Sequence, residues 1–104
     1  DPGLLTRRVT IERLEPVPDA FGGAGETVRV VGEAWARIEP VEVEVRERFG
    51  QQEGRATHRA TLRFRAGLER GMRLRLGKRI LRILTVQDPD ETGRWLVCRC
   101  EEGA

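Results

Sequence analysis

The chain has 104 residues, enough for a single domain with one modest core. Its 19 basic and 17 acidic side chains leave a formal net charge of +2, so only the distribution of charge, not its sum, can argue for nucleic-acid binding. Leu, Ile, Val and Phe number 27, above the disordered range, and no apolar run approaches the roughly 20 residues that cross a bilayer.

The opening DPGLLTRR lacks the apolar centre of a signal peptide, so a soluble protein without an export address is expected. A start at Asp1 rather than Met points to a missing or processed N-terminus. Leu5 to Leu14 reads as the first strand, with Leu5, Val9 and Ile11 on one face and Thr6, Arg8, Thr10 and Glu12 on the other. Glu15 to Gly25 follows, and its two prolines and three glycines predict a long loop anchored by Phe21, a candidate contact arm. Glu26 to Glu39 is a second strand region. Gly32 interrupts its pattern, as a glycine at a bulge does when a long strand bends around a small barrel. Trp35 is placed in the core at that bend, with an interface role as the alternative, and Pro40 is expected to end the pairing.

Val41 to Gly54 supports two readings. Val41, Val43 and Val45 alternate as in a strand, whereas Val45 and Phe49 also suit a helical turn near 43–53. Either gives a polar, charge-rich protrusion. Arg55 to Ala66 has the clearest pattern in the chain. Ala56, His58, Ala60, Leu62, Phe64 and Ala66 form an inner face, and Arg55, Arg59, Arg63 and Arg65 lead an outer ladder of guanidinium groups. After the turn Gly67 to Gly71, Met72, Leu74 and Leu76 alternate with Arg73 and Arg75 and repeat that ladder. Gly77 and Lys78 make a tight turn. Arg79 to Gln87 is a strand apolar on both faces, hence covered by a neighbour. Asp88 to Gly93 is a turn and Trp95 to Cys100 the last strand. The fold expected is all-β, a small antiparallel barrel or sandwich of about six strands in one domain over 1–104, with room for one short helix near 43–53.

No catalytic constellation emerges. His58 lies on an apolar face as a core histidine does, Ser is absent, and the group Gly22, Gly23 and Gly25 neither follows a strand nor opens a helix. Asp88, Asp90 and Glu91 read as turn residues rather than cation ligands. Cys98 and Cys100 share a face beside Leu96 and fill the core. Two cysteines make neither a disulfide framework nor a zinc site, which suits a reducing cytoplasm. No enzyme activity, cofactor or metal is expected.

Eighteen of the cations are Arg, as a GC-rich coding sequence produces, but Arg is also the cation that pairs with carboxylates in planar, bidentate geometry. Subunit-to-subunit ion pairing is therefore a candidate role.

Taken together, RVTIER (8–13), DAFGGAGE (19–26), AWARIEP (34–40), THRATLRFRAGLERGMRL (57–74) and RILRILTVQDPDE (79–91) resemble the phage head-tail adaptor family, also called head-tail joining or head-closure (stopper) proteins. The resemblance runs nearly end to end. It implies a small β-barrel without catalytic role, made in the bacterial cytoplasm and resident in the virion neck of a phage or gene transfer agent. It also implies a ring, twelvefold, between the portal or adaptor above and the tail terminator or tail tube below. Double-stranded DNA would pass through without sequence-specific binding, and no membrane is involved.

The resemblance further implies a channel or partner loop at Asp19, Phe21, Gly22 and Gly23, with Trp35 and Pro40 framing the next strand. His58, Arg59, Arg63, Phe64, Arg65, Gly67, Met72 and Arg73 match the family's central signature, while VEVEVRERFG departs from its helix after the Glu-Pro pair. The subunit interface is expected at Glu42, Glu44, Glu47, Phe49, Arg59, Arg63, Arg65, Arg73 and Arg75, with Glu53 a further carboxylate. Two other readings stand beside the stopper: a tail terminator or completion ring, and a small-barrel nucleic-acid-binding protein. Against the latter, none of the five aromatics is expected to alternate with the ladder on its outer face.

Overall fold

The structure, a computed structural model, describes residues 5–18, 24–48 and 51–103. Its strands are β1 (Arg7–Pro18), β2 (Ala24–Arg48), β3 (Gln51–Arg63), β4 (Arg73–Leu76), β5 (Arg79–Gln87) and β6 (Trp95–Glu102). All pairings are antiparallel, and the order β1-β2-β3-β6-β5-β4 closes because β4 returns to β1. No helix occurs among the described residues, so the short helix allowed near 43–53 is not formed there and the strand reading holds.

The period of two in the sequence fills this barrel. Val9, Ile11, Ala36, Ala60, Leu62, Leu74, Leu81, Ile83, Cys98 and Cys100 point inward and are fully buried. Register sets small against large: Ala36 opposes Leu62, while Ile38 opposes Ala60, which opposes Cys98. Six strands leave a narrow interior, so alternating bulk packs it without voids. Each buried Leu or Ile contributes about 1.5–3 kcal/mol over an exposed one.

Three irregularities shape the outline. The register slips between Ile11 and Glu12, which face Gly32 and Val30, so the extra residue on β2 is Val31, next to the glycine expected to mark a bulge. Gly32 lies under the Arg65 guanidinium, and a Cβ there would lie 2.9 Å from Arg65 Nη2, so a larger residue would displace that flexible side chain. On β5, Leu84 is the extra residue between Ile83 and Thr85, and it is driven against Gly54. A Cβ on residue 54 would come within 2.8 Å of Leu84 Cδ2, and Gly54 sits at φ +155°. The covering neighbour expected for the two-faced apolar strand is thus β3.

Two hairpin arms run past the barrel. Residues 13–18 of β1 pair with 24–29 of β2, whereas β4 meets β1 only at Thr10, Ile11 and Glu12. The expectation that Glu15 to Gly25 is wholly loop is corrected here: Glu15 to Pro18 and Ala24 onward are strand. Pro16 and Pro18, two apart, place their missing N–H on the same edge, which a strand with one neighbour tolerates. Pro40 does not end the pairing either. It precedes a wide bulge in which Val41, Glu42 and Val43 face only Thr57, after which β2 and β3 pair again as a second arm from Glu44 to Arg48.

Candidate functional site: the outer wall and its charge networks

Opposite the apolar lining, alternation sends the arginines outward, but strand order separates them. β3 and β4 are three strands apart either way round the ring, so Arg59 and Arg63 lie across the barrel from Arg73 and Arg75. The second ladder therefore does not extend the first.

At the β1–β4 seam, Glu12 faces Arg73 in register. Its carboxylate is 1% exposed and accepts from Arg73 Nε at 2.7 Å, with Arg75 Nε 3.3 Å from its second oxygen. Sequence pattern placed Glu12 on the polar face correctly but gave no sign of its burial, which comes from two flanking guanidinium stems closing over it.

On the β5–β6 side of the barrel, Arg79 forks onto Glu102, Nε to Oε2 at 2.7 Å and Nη2 to Oε1 at 3.1 Å. The Arg79 hydrogen bond holds the Glu102 carboxyl below its ordinary range, against the smaller effect of burial. Arg79 Nη2 also lies 3.3 Å from His58 Nε2. Because an arginine can only donate, Nε2 is the acceptor and the proton sits on Nδ1, which reaches Thr57 Oγ1 at 2.9 Å. Thr57 Oγ1 also accepts the Glu102 N–H at 2.9 Å, leaving its own proton for the Cys100 carbonyl at 3.5 Å. Hydroxyl, imidazole and carboxylate are close here, with His58 Nε2 also 3.7 Å from Glu102 Oε1, and both ring nitrogens already have partners within the chain. This is a lock joining β3 to β5 and β6, with His58 at the margin of the core rather than in it.

The wall formed by β1, β2, β3 and β6 carries arginine and tryptophan in alternation. Arg8 opposes Trp35 in register and its guanidinium lies 5.4 Å from the Trp35 ring centre; Arg63 opposes Trp95 and lies 5.2 Å from that ring. Trp35 is 51% exposed, so its placement in the core is corrected. Ala34, Ala36 and Ile38 already claim the inner face, and strand alternation leaves Trp35 outside. The expectation that no aromatic interleaves with the outer arginines falls with it. Below this row, Arg59 donates from Nε and Nη2 to Glu39 Oε1, both at 3.3 Å, beside an open groove of about 710 Å³ flanked by Trp95, Val97 and Asp90.

The other expected site residues are placed as follows. Arg65 leaves the ladder after β3 ends, folds over Gly32 and donates to the Glu33 carbonyl at 3.4 Å. Phe64, expected on the inner face, is 47% exposed because regular pairing stops at Arg63. Glu42 is exposed in the wide bulge, and the backbones of Glu44 and Glu47 pair with Ala56 and Gln52 on the second arm. Asp19, Phe21, Gly22, Gly23 and Phe49 lie outside the described residues. Among the described residues no cluster of three or more His, Cys, Asp or Glu is placed to hold a metal.

A filled barrel, arms that outreach it and a wall of paired Arg and Trp define a small β-barrel built for contact with other macromolecules. The chain belongs to the phage head completion protein family, whose family model matches residues 1–103. A chain of a solved structure described as the virion of native gene transfer agent (GTA) particle is similar to it, with a TM-score of 0.67 and 28% identity over 94% of each chain. None of the curated proteins matches.

Proposed function

We propose that the chain is the stopper subunit of the neck in a tailed-phage or gene-transfer-agent particle. Copies close into a ring between the portal or adaptor and the tail, and the ring retains DNA and offers the tail its docking surface. The observation that carries this reading is the similarity, over nearly the whole of both chains, to a chain in the gene transfer agent virion. The barrel interior is packed with side chains, so DNA passes through the ring of subunits and not through any one barrel. Heterologous contacts between identical copies make such a ring when the rotation closes. Exposed ion pairs contribute only about 0–1 kcal/mol each, so closure relies on many weak contacts acting together around the ring. The segment Asp19 to Gly23, which links β1 to β2 in sequence, makes the contact toward channel or tail.

Particles produced without this chain test the proposal by negative-stain microscopy. Heads that lose DNA and carry no tails support the stopper. Overlong tails support a terminator instead, and normal tailed particles refute both. The interleaved Arg8, Trp35, Arg63 and Trp95 favour one other reading, a surface that stacks bases and tracks phosphates. A guanidinium of the same chain already lies against each indole, which leaves less ring face for base stacking and weighs against it. DNA affinity of the isolated chain that falls steeply with salt would support this second reading.

A further inference from the structure

The row Arg8, Trp35, Arg63, Trp95 crosses four adjacent strands, and a half-exposed indole held flat by a guanidinium is a costly thing to leave in water. Aromatic and arginine side chains of this kind are the usual anchors of protein interfaces. Arg59 and the exposed Arg94 extend the row; Glu33, 3.6 Å from Arg8, and Glu39, 3.3 Å from Arg59, neutralise part of it, and arginines remain in excess on the wall. The chain also carries a complementary element. Its second arm, from Val41 to Gly54, holds four carboxylates, Glu42, Glu44, Glu47 and Glu53, against two arginines. Gly54 at the base of this arm rests against Leu84 of β5, but beyond the wide bulge the backbones of β2 and β3 pair only with each other. At about 3.3 Å per residue its eight β2 residues from 41 to 48 reach about 26 Å, enough to cross a wall four strands wide at about 4.8 Å spacing.

We infer that the acidic β2–β3 arm of one copy docks across the Arg–Trp wall of the next, with Trp35 and Trp95 as the anchors. This assignment rests on the ring proposed above and names the two surfaces that form it. The first arm, with its exposed Val28 and Val30, is the competing occupant; its described charges largely pair with one another or with the barrel, Arg29 with Glu15 and Arg13 with Glu69, so it lacks the charge to match.

The test replaces Trp35 with a benzoylphenylalanine crosslinker in the full chain, in cells producing particles. Irradiated neck material is separated on a denaturing gel, and the crosslinked peptides are identified by mass spectrometry. The expected result is a covalent dimer joining position 35 to a peptide within 41–55 of another copy. A dimer joined to a peptide within 13–31 overturns the choice of arm, and crosslinks to a different protein alone overturn the wall as a self-interface. Charge reversal gives an independent reading. Glu42→Arg with Glu44→Arg weakens self-association in sedimentation at least about tenfold, and Arg59→Glu with Arg63→Glu on the same chain restores it. Equal association of all variants, each shown folded by circular dichroism, overturns the inference. Particles that assemble tails normally without the chain overturn the neck reading itself, so the two failures are distinguishable.

Discussion

Replacing Glu12 by Gln removes the charge that pins the barrel's closing seam while keeping the side chain's size. Only Thr10, Ile11 and Glu12 of β1 pair with β4, so this carboxylate secures a third of the seam's register. Breaking a fully desolvated ion pair by removing one partner costs about 3–5 kcal/mol. Here Arg73 and Arg75 keep 25% and 46% of their side-chain exposure, so water recovers part of what they lose, and the net cost comes to about 2 kcal/mol. With a urea m-value of about 1–1.5 kcal/mol/M for a domain this small, the unfolding midpoint falls by about 1.5 M. Equilibrium urea denaturation followed by tryptophan fluorescence measures it. A midpoint shift under about 0.4 M would refute the reasoning, as would the same loss in an Arg73→Gln background, since partners in one pair must couple.

Gly54→Ala forces a Cβ onto Leu84 at a positive φ and is expected to lower stability by about 1–2 kcal/mol in the same assay; an unchanged midpoint would show that the second arm does not bear on β5. Burial pushes the Cys98 thiol up to about 12 and raises Cys100 by the same cause. Both therefore resist a thiolate-selective reagent at pH 8 in the native state and react after unfolding, and rapid native labelling would contradict the core placement. Glu102 has a lowered folded-state carboxyl pKa, so its contribution is complete above the unfolded value of about 4.3 and is lost as pH falls through the lower folded one. The urea midpoint of the native chain should thus converge on that of Glu102→Gln between about pH 5 and pH 3, and a constant gap across that range would exclude the Arg79 fork as its source.

Strand alternation made the inner face legible, because a two-residue period with buried bulk on one side has few alternatives; β4 and β5 fall where Met72 to Leu76 and Arg79 to Gln87 placed them. The resemblance to head-closure proteins likewise led to the family. What alternation cannot convey is which strands become neighbours. Arg59 and Arg73 read as one ladder in sequence and stand on opposite walls in space, since strand order is decided by closure of the sheet. Trp35, expected in the core at the bend, lies outside because its register places it on the face opposite Ala34 and Ala36. Pro16, Pro18 and Pro40 suggest breaks in the sequence but do not end the pairing, since a proline interrupts a ladder only where its nitrogen faces a partner. The burial of Glu12 depends on β1 meeting β4, a contact 61 residues apart that no local pattern encodes.

Closure of the sheet also bears on aggregation. A sheet joined end to end offers few borders on which foreign strands can grow, so most of the barrel body is protected from amyloid-like stacking. Among the described strands, backbone with a single neighbour remains on the two arms and, because β4 is short, at Arg7–Val9 and Thr85–Gln87; on the first arm Pro16 and Pro18 withhold the amide donors that such growth would need.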